Sequence, residues 1–150
     1  STQQQNEIRS YVVDVESRRI LDISNNLKTP GSTTVLCVQS DVILATFSSL
    51  TTPGQLFVSK LSSLERDCNI EWVRVSTPSE VPSSVANAKV EYMALKQDTG
   101  ARVSTFTAIY FGPDEGKVYP LVVWPHGGPH SAFSNSYSLE AALFNMIGFA

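Results

Sequence analysis

Residues 118–129 have the sequence VYPLVVWPHGGP, in which a long apolar run ends at two glycines. Within it, the consecutive apolar side chains of Tyr119–Trp124 replace the alternation expected of a half-exposed strand. Continuous apolarity is typical of a strand that is buried on both faces. The run therefore predicts an interior strand of a helix-flanked sheet, followed by a sharp turn at the glycines.

A helix is predicted shortly after that turn. Apolar side chains recur at helical spacing from Leu139 to Met146. Ser138 is placed to cap the N-terminus of this helix, and Gly148 is placed to follow its C-terminus. Another apolar stretch begins at Phe149-Ala150. Strand, loop, helix and strand in this order predict a βαβ unit, which is the building block of a parallel sheet.

His126, Gly127 and Gly128 form the candidate catalytic loop. In α/β hydrolases, a strand followed by His-Gly-Gly supplies part of an oxyanion hole, whose backbone N–H groups stabilise the anionic transition state of acyl transfer. Each such donor is worth about 3 to 4 kcal/mol. Pro129 has no N–H, so the amides of Gly127 and Gly128 are the candidate donors, and His126 is expected to orient the loop. The alternative is that Gly-Gly-Pro only turns the chain, but the apolar run, the histidine and the helix together favour the functional interpretation.

The nucleophile of such a hydrolase is not found in this sequence. The 150 residues contain no Gly-x-Ser-x-Gly, the turn that carries the serine. The Ser, Asp and His of a triad are therefore expected beyond Ala150, and the segment alone is predicted to be inactive. His126 and His130 are disfavoured as a metal pair, because Gly-Gly-Pro between them prevents a helix and no third ligand is evident. We expect neither a metal nor a cofactor.

Short strands joined by turn residues fill the first half of the sequence. The alternation of Tyr11–Glu16 resumes at Ile20–Ile23 after a polar break, which predicts a hairpin. A second hairpin is predicted for Thr34–Gln39 and Val42–Phe47, with Ser40-Asp41 as its turn. Two further strands are predicted, over Gln55–Leu61 after a turn at Thr51–Gly54, and over Ile70–Val75.

Such strands favour a sandwich, a barrel or the blades of a propeller, and their spacing does not distinguish among these three architectures. They are too few to close a propeller, so on that interpretation most of the ring lies outside this chain. A Pro- and Ser-rich stretch at residues 77–84 predicts a domain boundary between residues 1–78 and 79–150. The second part is predicted to begin with strands Lys89–Leu95 and Val103–Tyr110 and a loop over Phe111–Lys117.

Composition excludes several classes of protein. The chain is 42% hydrophobic and 17% charged with a net charge of -3, which indicates a globular protein and makes nucleic acid an improbable partner. Cys37 and Cys68 are expected to be reduced, mostly buried thiols, which favours the cytosol. No targeting signal and no apolar segment long enough to cross a membrane is visible, so membrane association is not expected.

Two parts of the last third carry a specific resemblance: Pro120–Phe133, which contains the glycine loop, and Met146–Ala150. They closely resemble the acylaminoacyl-peptidases (acylpeptide hydrolases) of the prolyl oligopeptidase family of serine peptidases. Two earlier stretches, Tyr11–Val15 and Asp41–Ser48, are more loosely similar to the closing propeller strands of those enzymes. The resemblance thus implies the C-terminal part of a β-propeller over residues 1–78, and a linker with the start of an α/β-hydrolase domain over residues 79–150.

The resemblance also implies an activity. Such a protein would be a cytoplasmic serine exopeptidase that removes an N-acylated, typically N-acetylated, residue from short peptides, with the propeller limiting access to the site. Gly128 would be the amide donor, with Gly127 and His126 shaping the loop. The implied partners are an N-acylated peptide substrate, the remainder of the same enzyme and, since many members self-associate, a second copy of the chain.

Other functions remain open at this point. A related dipeptidyl-peptidase or oligopeptidase would use the same loop. A non-catalytic β-rich binding module would keep the glycines only as a turn. An esterase of the HGGG kind is disfavoured by Pro129 in the fourth position and by the propeller-like strands.

Overall fold

The largest element of the fold is a four-stranded antiparallel sheet, in which the strands pair in chain order. The computed structural model describes residues 1–24, 27, 29–61, 70–97, 100, 105–113, 118–128 and 131–150. The strands of this sheet are β5 (Ser32–Gln39), β6 (Val42–Ser49), β7 (Thr52–Lys60) and β8 (Val73–Arg74). A meander of this kind is the unit from which propeller blades are made, and the described strands form no closed ring.

The predicted hairpin at Ser40-Asp41 is confirmed. Both turn residues have positive φ, 47° and 65°, as the tight two-residue turn between twisted strands requires. β6 then alternates between buried and more exposed residues along its length, so that Ile43, Ala45 and Phe47 face the core.

Two small hairpins precede this sheet. The first joins β1 (Thr2–Gln4) to β2 (Glu7–Arg9), and the second joins β3 (Tyr11–Asp14) to β4 (Arg19–Asp22). The second is the hairpin predicted from alternation, whereas the polar β1 gave no apolar pattern from which to predict it.

The hydrophobic core joins the second hairpin to the sheet. Ile23, Ile43 and Ile70 form its buried centre, and the indole N–H of Trp72 donates to the carbonyl of Ile23 at 3.0 Å. Burying apolar side chains contributes about 25 cal/mol per Å² of surface removed from water, so this cluster holds the first half together.

The prediction of a turn at Thr51–Gly54 was partly wrong. β7 already begins at Thr52, because Pro53 and Gly54 lie opposite Ser48 alone in a β-bulge, where a missing N–H and a missing side chain are tolerated. β8 is also shorter than the predicted Ile70–Val75.

Cys37 corrects a further expectation. It is a free thiol as predicted, but it is exposed, because the second half of β5 turns away from the core beyond a register shift between Val35 and Cys37. Cys68 lies outside the described residues.

The second half contains a helical turn, a hairpin and a longer helix. These are α1 (Ser83–Ala86), the strands β9 (Lys89–Lys96) and β10 (Thr105–Gly112), and α2 (Leu139–Met146). The two predicted strands are confirmed where they are described, although β10 extends over Phe111 and Gly112, which were expected to be loop. Residues 103–104 and 114–117 of the predicted elements lie outside the described residues.

Both predicted ends of helix α2 are confirmed. The Ser138 hydroxyl oxygen accepts a hydrogen bond from the Ala141 amide at 3.1 Å. At the C-terminus, Gly148 has φ +91°, and the amides of Gly148 and Phe149 donate to the carbonyls of Asn145 and Phe144. This pair of bonds is a Schellman motif, and the ring contact between Phe144 and Phe149 accompanies it.

The apolar side chains that recur along α2 face outward. Leu139, Leu143 and Met146 are exposed, while Ala142 and Asn145 are the buried residues of the helix. Among the described elements, α2 contacts mainly α1 and β10, and the residues that it buries are Ala142 and Asn145.

The buried strand predicted at Tyr119–Trp124 is wrong for this structure. The run has no assigned strand and is exposed, Val123 by 78%. Its only backbone pairing among the described residues is with Ala150: the Val122 amide donates to the Ala150 carbonyl at 2.8 Å, and the Ala150 amide donates to the Pro120 carbonyl at 2.9 Å. This is the hydrogen-bond pattern of one parallel bridge. Pro120 and Pro125 lack the N–H groups that a longer ladder would need.

Candidate active site

The glycine loop lies on the surface and presents bare backbone. His126, Gly127 and Gly128 are all exposed. Gly128 has φ +69°, a conformation in which side chains other than hydrogen are strained. A β-carbon added to Gly127 or to Gly128 would have nothing within 4 Å. The loop therefore leaves room for another molecule to approach its backbone.

The two candidate donors form no hydrogen bond with any described residue. Within the described parts of the chain, neither the Gly127 amide nor the Gly128 amide donates to a carbonyl or a side chain. An oxyanion donor needs this state, because an amide already paired with a carbonyl could not stabilise a developing negative charge. Pro129 and His130, which complete the predicted motif, lie outside the described residues.

Aromatic contacts hold the loop from one side. The ring of Phe133 lies edge-on to that of Trp124, with 5.7 Å between centroids, and to the ring of His126, with 6.4 Å. Edge-to-face contacts at such distances are favourable for aromatic pairs. Phe133 thus brings the segment after the glycines against the segment before them, which includes His126.

Asn135 connects the same segment to the β-rich half. Its Oδ1 accepts from the Leu50 amide at 2.9 Å, its Nδ2 donates to the Tyr92 hydroxyl at 2.8 Å, and its backbone amide donates to the Asn6 carbonyl at 2.6 Å. Asn135 lies between the glycine loop and the predicted helix, and the sequence assigned it no role. Its partners lie 43 to 129 residues away, so no local signal could have revealed it.

Tyr92, the partner of Asn135, also lines a polar groove beside β2. Its volume is about 300 Å³, and Glu7, Arg9 and Tyr92 are among its lining residues. Glu7 accepts hydrogen bonds from the Tyr92 hydroxyl at 2.9 Å and from the Gly31 amide at 3.1 Å, while Arg9 forms ion pairs with Glu7 and Asp22. Partial burial and the hydrogen bond to Glu7 raise the pKa of Tyr92 to about 12, so that its hydroxyl is a neutral donor at physiological pH.

Other kinds of site have no support in the described residues. No three His, Cys, Asp or Glu side chains there lie close enough together to hold a metal ion. The helices in that part of the chain are all too short or too polar to cross a membrane.

Fold and loop together define a β-rich segment with a blade-like meander and an exposed glycine turn. No family model matches the chain. The acylamino-acid-releasing enzyme of Homo sapiens is 31% identical to it over 125 residues, which are 80% of this chain and 17% of that protein. The enzyme of the same name from Mus musculus is 28% identical over 145 residues, or 93% of this chain and 20% of that protein. Acylamino-acid-releasing enzyme 1 of Oryza sativa subsp. japonica is 29% identical, over 91% of this chain and 19% of that protein.

The chain belongs to the family of the acylamino-acid-releasing enzymes. It spans about a fifth of the length of the curated relatives that it matches.

Proposed function

We propose that residues 1–150 are part of a cytoplasmic serine exopeptidase that hydrolyses N-acyl, typically N-acetyl, amino acids from the N-terminus of short blocked peptides. In this proposal residues 1–78 belong to a β-propeller, and residues 79–150 form the linker and the start of an α/β-hydrolase domain. The observation that carries it is the exposed loop at Gly127 and Gly128, whose two amides donate to no atom of the described residues. The names of the relatives support the reaction class.

The proposed contribution of this segment is electrostatic. When a serine attacks the acyl carbonyl, negative charge develops on the carbonyl oxygen. The Gly128 amide, with Gly127 beside it, would donate to that oxygen, and the amide following the nucleophile would supply the other donor. One preorganised donor of this kind lowers the barrier by about 3 to 4 kcal/mol. The left-handed conformation of Gly128 fixes the direction of the amides without a side chain in the way.

An active-site-directed fluorophosphonate tests the assignment of the nucleophile. The full polypeptide that contains these residues is expected to be labelled, and residues 1–150 alone are expected to remain unlabelled, because they contain no Gly-x-Ser-x-Gly turn. Labelling of the short chain would contradict the assignment. Absence of labelling in the full polypeptide would favour a non-catalytic binding module.

Substrate pairs then test the specificity. The labelled polypeptide is assayed with acetyl-amino-acid substrates and with the same substrates bearing a free N-terminus. The proposal expects a higher kcat/KM for the acetylated member of each pair. Preferred release of a dipeptide from a free N-terminus would indicate a dipeptidyl-peptidase, and cleavage far from the N-terminus of longer peptides would indicate an oligopeptidase.

A further inference from the structure

Asn135 is a buried residue whose two polar side-chain atoms are both hydrogen-bonded. It is 2% exposed, and its Oδ1, Nδ2 and backbone amide each have a partner. A buried amide is costly unless its polar atoms are paired, and here the pairing makes the buried position favourable. The site is therefore built specifically for asparagine.

The three partners of Asn135 belong to three different elements. Asn6 lies in the turn between β1 and β2, Leu50 lies in the turn between β6 and β7, and Tyr92 lies on β9. Beside them, the Gln3 side-chain amide donates to the Phe133 carbonyl at 2.9 Å. Two hydrogen bonds, from Gln3 to Phe133 and from Asn135 to Asn6, thus attach the segment that follows the glycine loop to the first hairpin. That hairpin precedes the segment by more than a hundred residues.

Contacts lead from this attachment to the glycine loop. Phe133 is two residues before Asn135, and its ring contacts His126 and Trp124. The glycines themselves have open space where a side chain would be, so their position depends on what holds the residues on either side. Among the described residues, the ring of Phe133 and the hydrogen bonds of Gln3 and Asn135 supply that support.

We propose that Asn135 is a positioning residue for the oxyanion loop, and that it sets the direction of the Gly127 and Gly128 amides from the β-rich half of the chain. The inference rests on the proposed function, since it concerns how that loop would be held. Asn135 touches no reacting atom. It acts through Phe133, and Tyr92 and Glu7 extend the same chain of hydrogen bonds toward Arg9.

Three variants of the full polypeptide test this. Asn135→Ala removes both side-chain hydrogen bonds, and Tyr92→Phe removes only the hydroxyl that links Asn135 to Glu7. The matched control is Ser136→Ala, because among the described residues the hydroxyl of Ser136 pairs with that of Ser134 alone, inside the same segment. The measurements are kcat and KM for an acetyl-amino-acid substrate, and hydrogen exchange of the peptide that covers residues 120–137.

A displaced oxyanion donor lowers kcat rather than substrate affinity. Asn135→Ala is expected to reduce kcat by about 10- to 100-fold while KM changes less than about threefold. Tyr92→Phe is expected to act in the same direction but more weakly, and Ser136→Ala to match the wild type. In both Asn135→Ala and Tyr92→Phe, hydrogen exchange in residues 120–137 is expected to rise more than hydrogen exchange in β6.

Two results would overturn the inference. The first is wild-type kcat and wild-type exchange in both Asn135→Ala and Tyr92→Phe. The second is a loss of kcat in Asn135→Ala with equally faster exchange in β6 and β9 and with no effect of Tyr92→Phe, which would leave Asn135 a structural residue only. If the wild-type polypeptide hydrolyses no substrate, the proposed function fails, whereas the exchange data still decide whether Asn135 holds the loop.

Discussion

Gly112 lies directly against Ala150. A β-carbon placed on Gly112 would be 2.7 Å from the β-carbon of Ala150 and 2.8 Å from the hydroxyl oxygen of Tyr110. Ala150 also exchanges backbone hydrogen bonds with Pro120 and Val122. Three parts of the chain therefore meet at this point: the end of β10, the residues that follow α2 and the apolar run before the glycine loop. Only a residue without a side chain fits at position 112.

Replacing Gly112 should loosen this junction. Gly112→Ala is expected to lower the free energy of unfolding of the full polypeptide by about 1 to 3 kcal/mol, because the added methyl group must displace backbone. Gly54→Ala is the control, since a β-carbon there would meet only Thr46 Oγ1 at an ordinary 3.6 Å. Denaturant titration measures both. Equal stability of the two variants would mean that Gly112 and Ala150 are not in contact in solution.

The elements that could be predicted from sequence are those fixed by neighbouring residues. The hairpin at Ser40-Asp41 and the helix between Ser138 and Gly148 depend on local turn and cap chemistry, and both were predicted correctly. The glycine loop was identified for the same reason, since its residues are adjacent in sequence, and its role as an oxyanion site stays a prediction.

What sequence could not supply depends on distant partners. The apolarity of Tyr119–Trp124 indicated burial, but burial requires neighbouring strands, and among the described residues only Ala150 pairs with the run. Pro53 and Gly54 signalled a turn, whereas the bulge opposite Ser48 accommodates them inside a strand. Asn135 gave no signal because its partners, Asn6, Leu50 and Tyr92, are all far from it in the sequence.

Gly128 and Gly127 should differ in their tolerance of a side chain. Gly128→Ala forces a β-carbon into the left-handed region, at a cost of about 1 to 2 kcal/mol, and so should shift the loop. We expect kcat of the full polypeptide to fall about 100-fold or more, the effect of losing one oxyanion donor. Gly127→Ala, where φ is not positive and the space is open, should cost about tenfold or less. Steady-state kinetics measure both, and equal losses would argue against the role of the Gly128 conformation.

The caps of α2 should contribute measurably to stability. Ser138→Ala removes the hydrogen bond to the Ala141 amide and is expected to cost about 0.5 to 2 kcal/mol. Ser136→Ala, two residues earlier, removes a hydroxyl that caps no helix and should cost less. Hydrogen exchange of α2 gives the local stability directly. Protection that is unchanged in Ser138→Ala would show that packing, and not the cap, defines the start of the helix.

Asn145 and Asn135 should respond oppositely to an apolar replacement. Both are buried, but within the described residues neither Nδ2 nor Oδ1 of Asn145 has a hydrogen-bond partner. Asn145→Leu removes this unsatisfied amide from a helix and should raise stability by about 1 to 3 kcal/mol. Asn135→Leu should lower stability, because it leaves the Leu50 amide without its acceptor. Melting temperatures of the two variants give the comparison, and destabilisation by Asn145→Leu would indicate a hydrogen-bond partner for that side chain in the full polypeptide.

Tyr92 should make stability fall at high pH. Its pKa is raised from 10.0 to about 12, mainly by desolvation and then by the hydrogen bond that it donates to Glu7. A group whose pKa is raised on folding stabilises the folded state fully below its unfolded pKa, and this contribution is lost as the pH rises through the folded value. The difference in unfolding free energy between wild type and Tyr92→Phe should therefore shrink between about pH 10 and pH 12. Ultraviolet titration of the tyrosines supplies the matching observation: the wild type should show one late-ionising group that Tyr92→Phe lacks. Loss of an ordinarily ionising group in that variant would contradict the raised pKa of Tyr92.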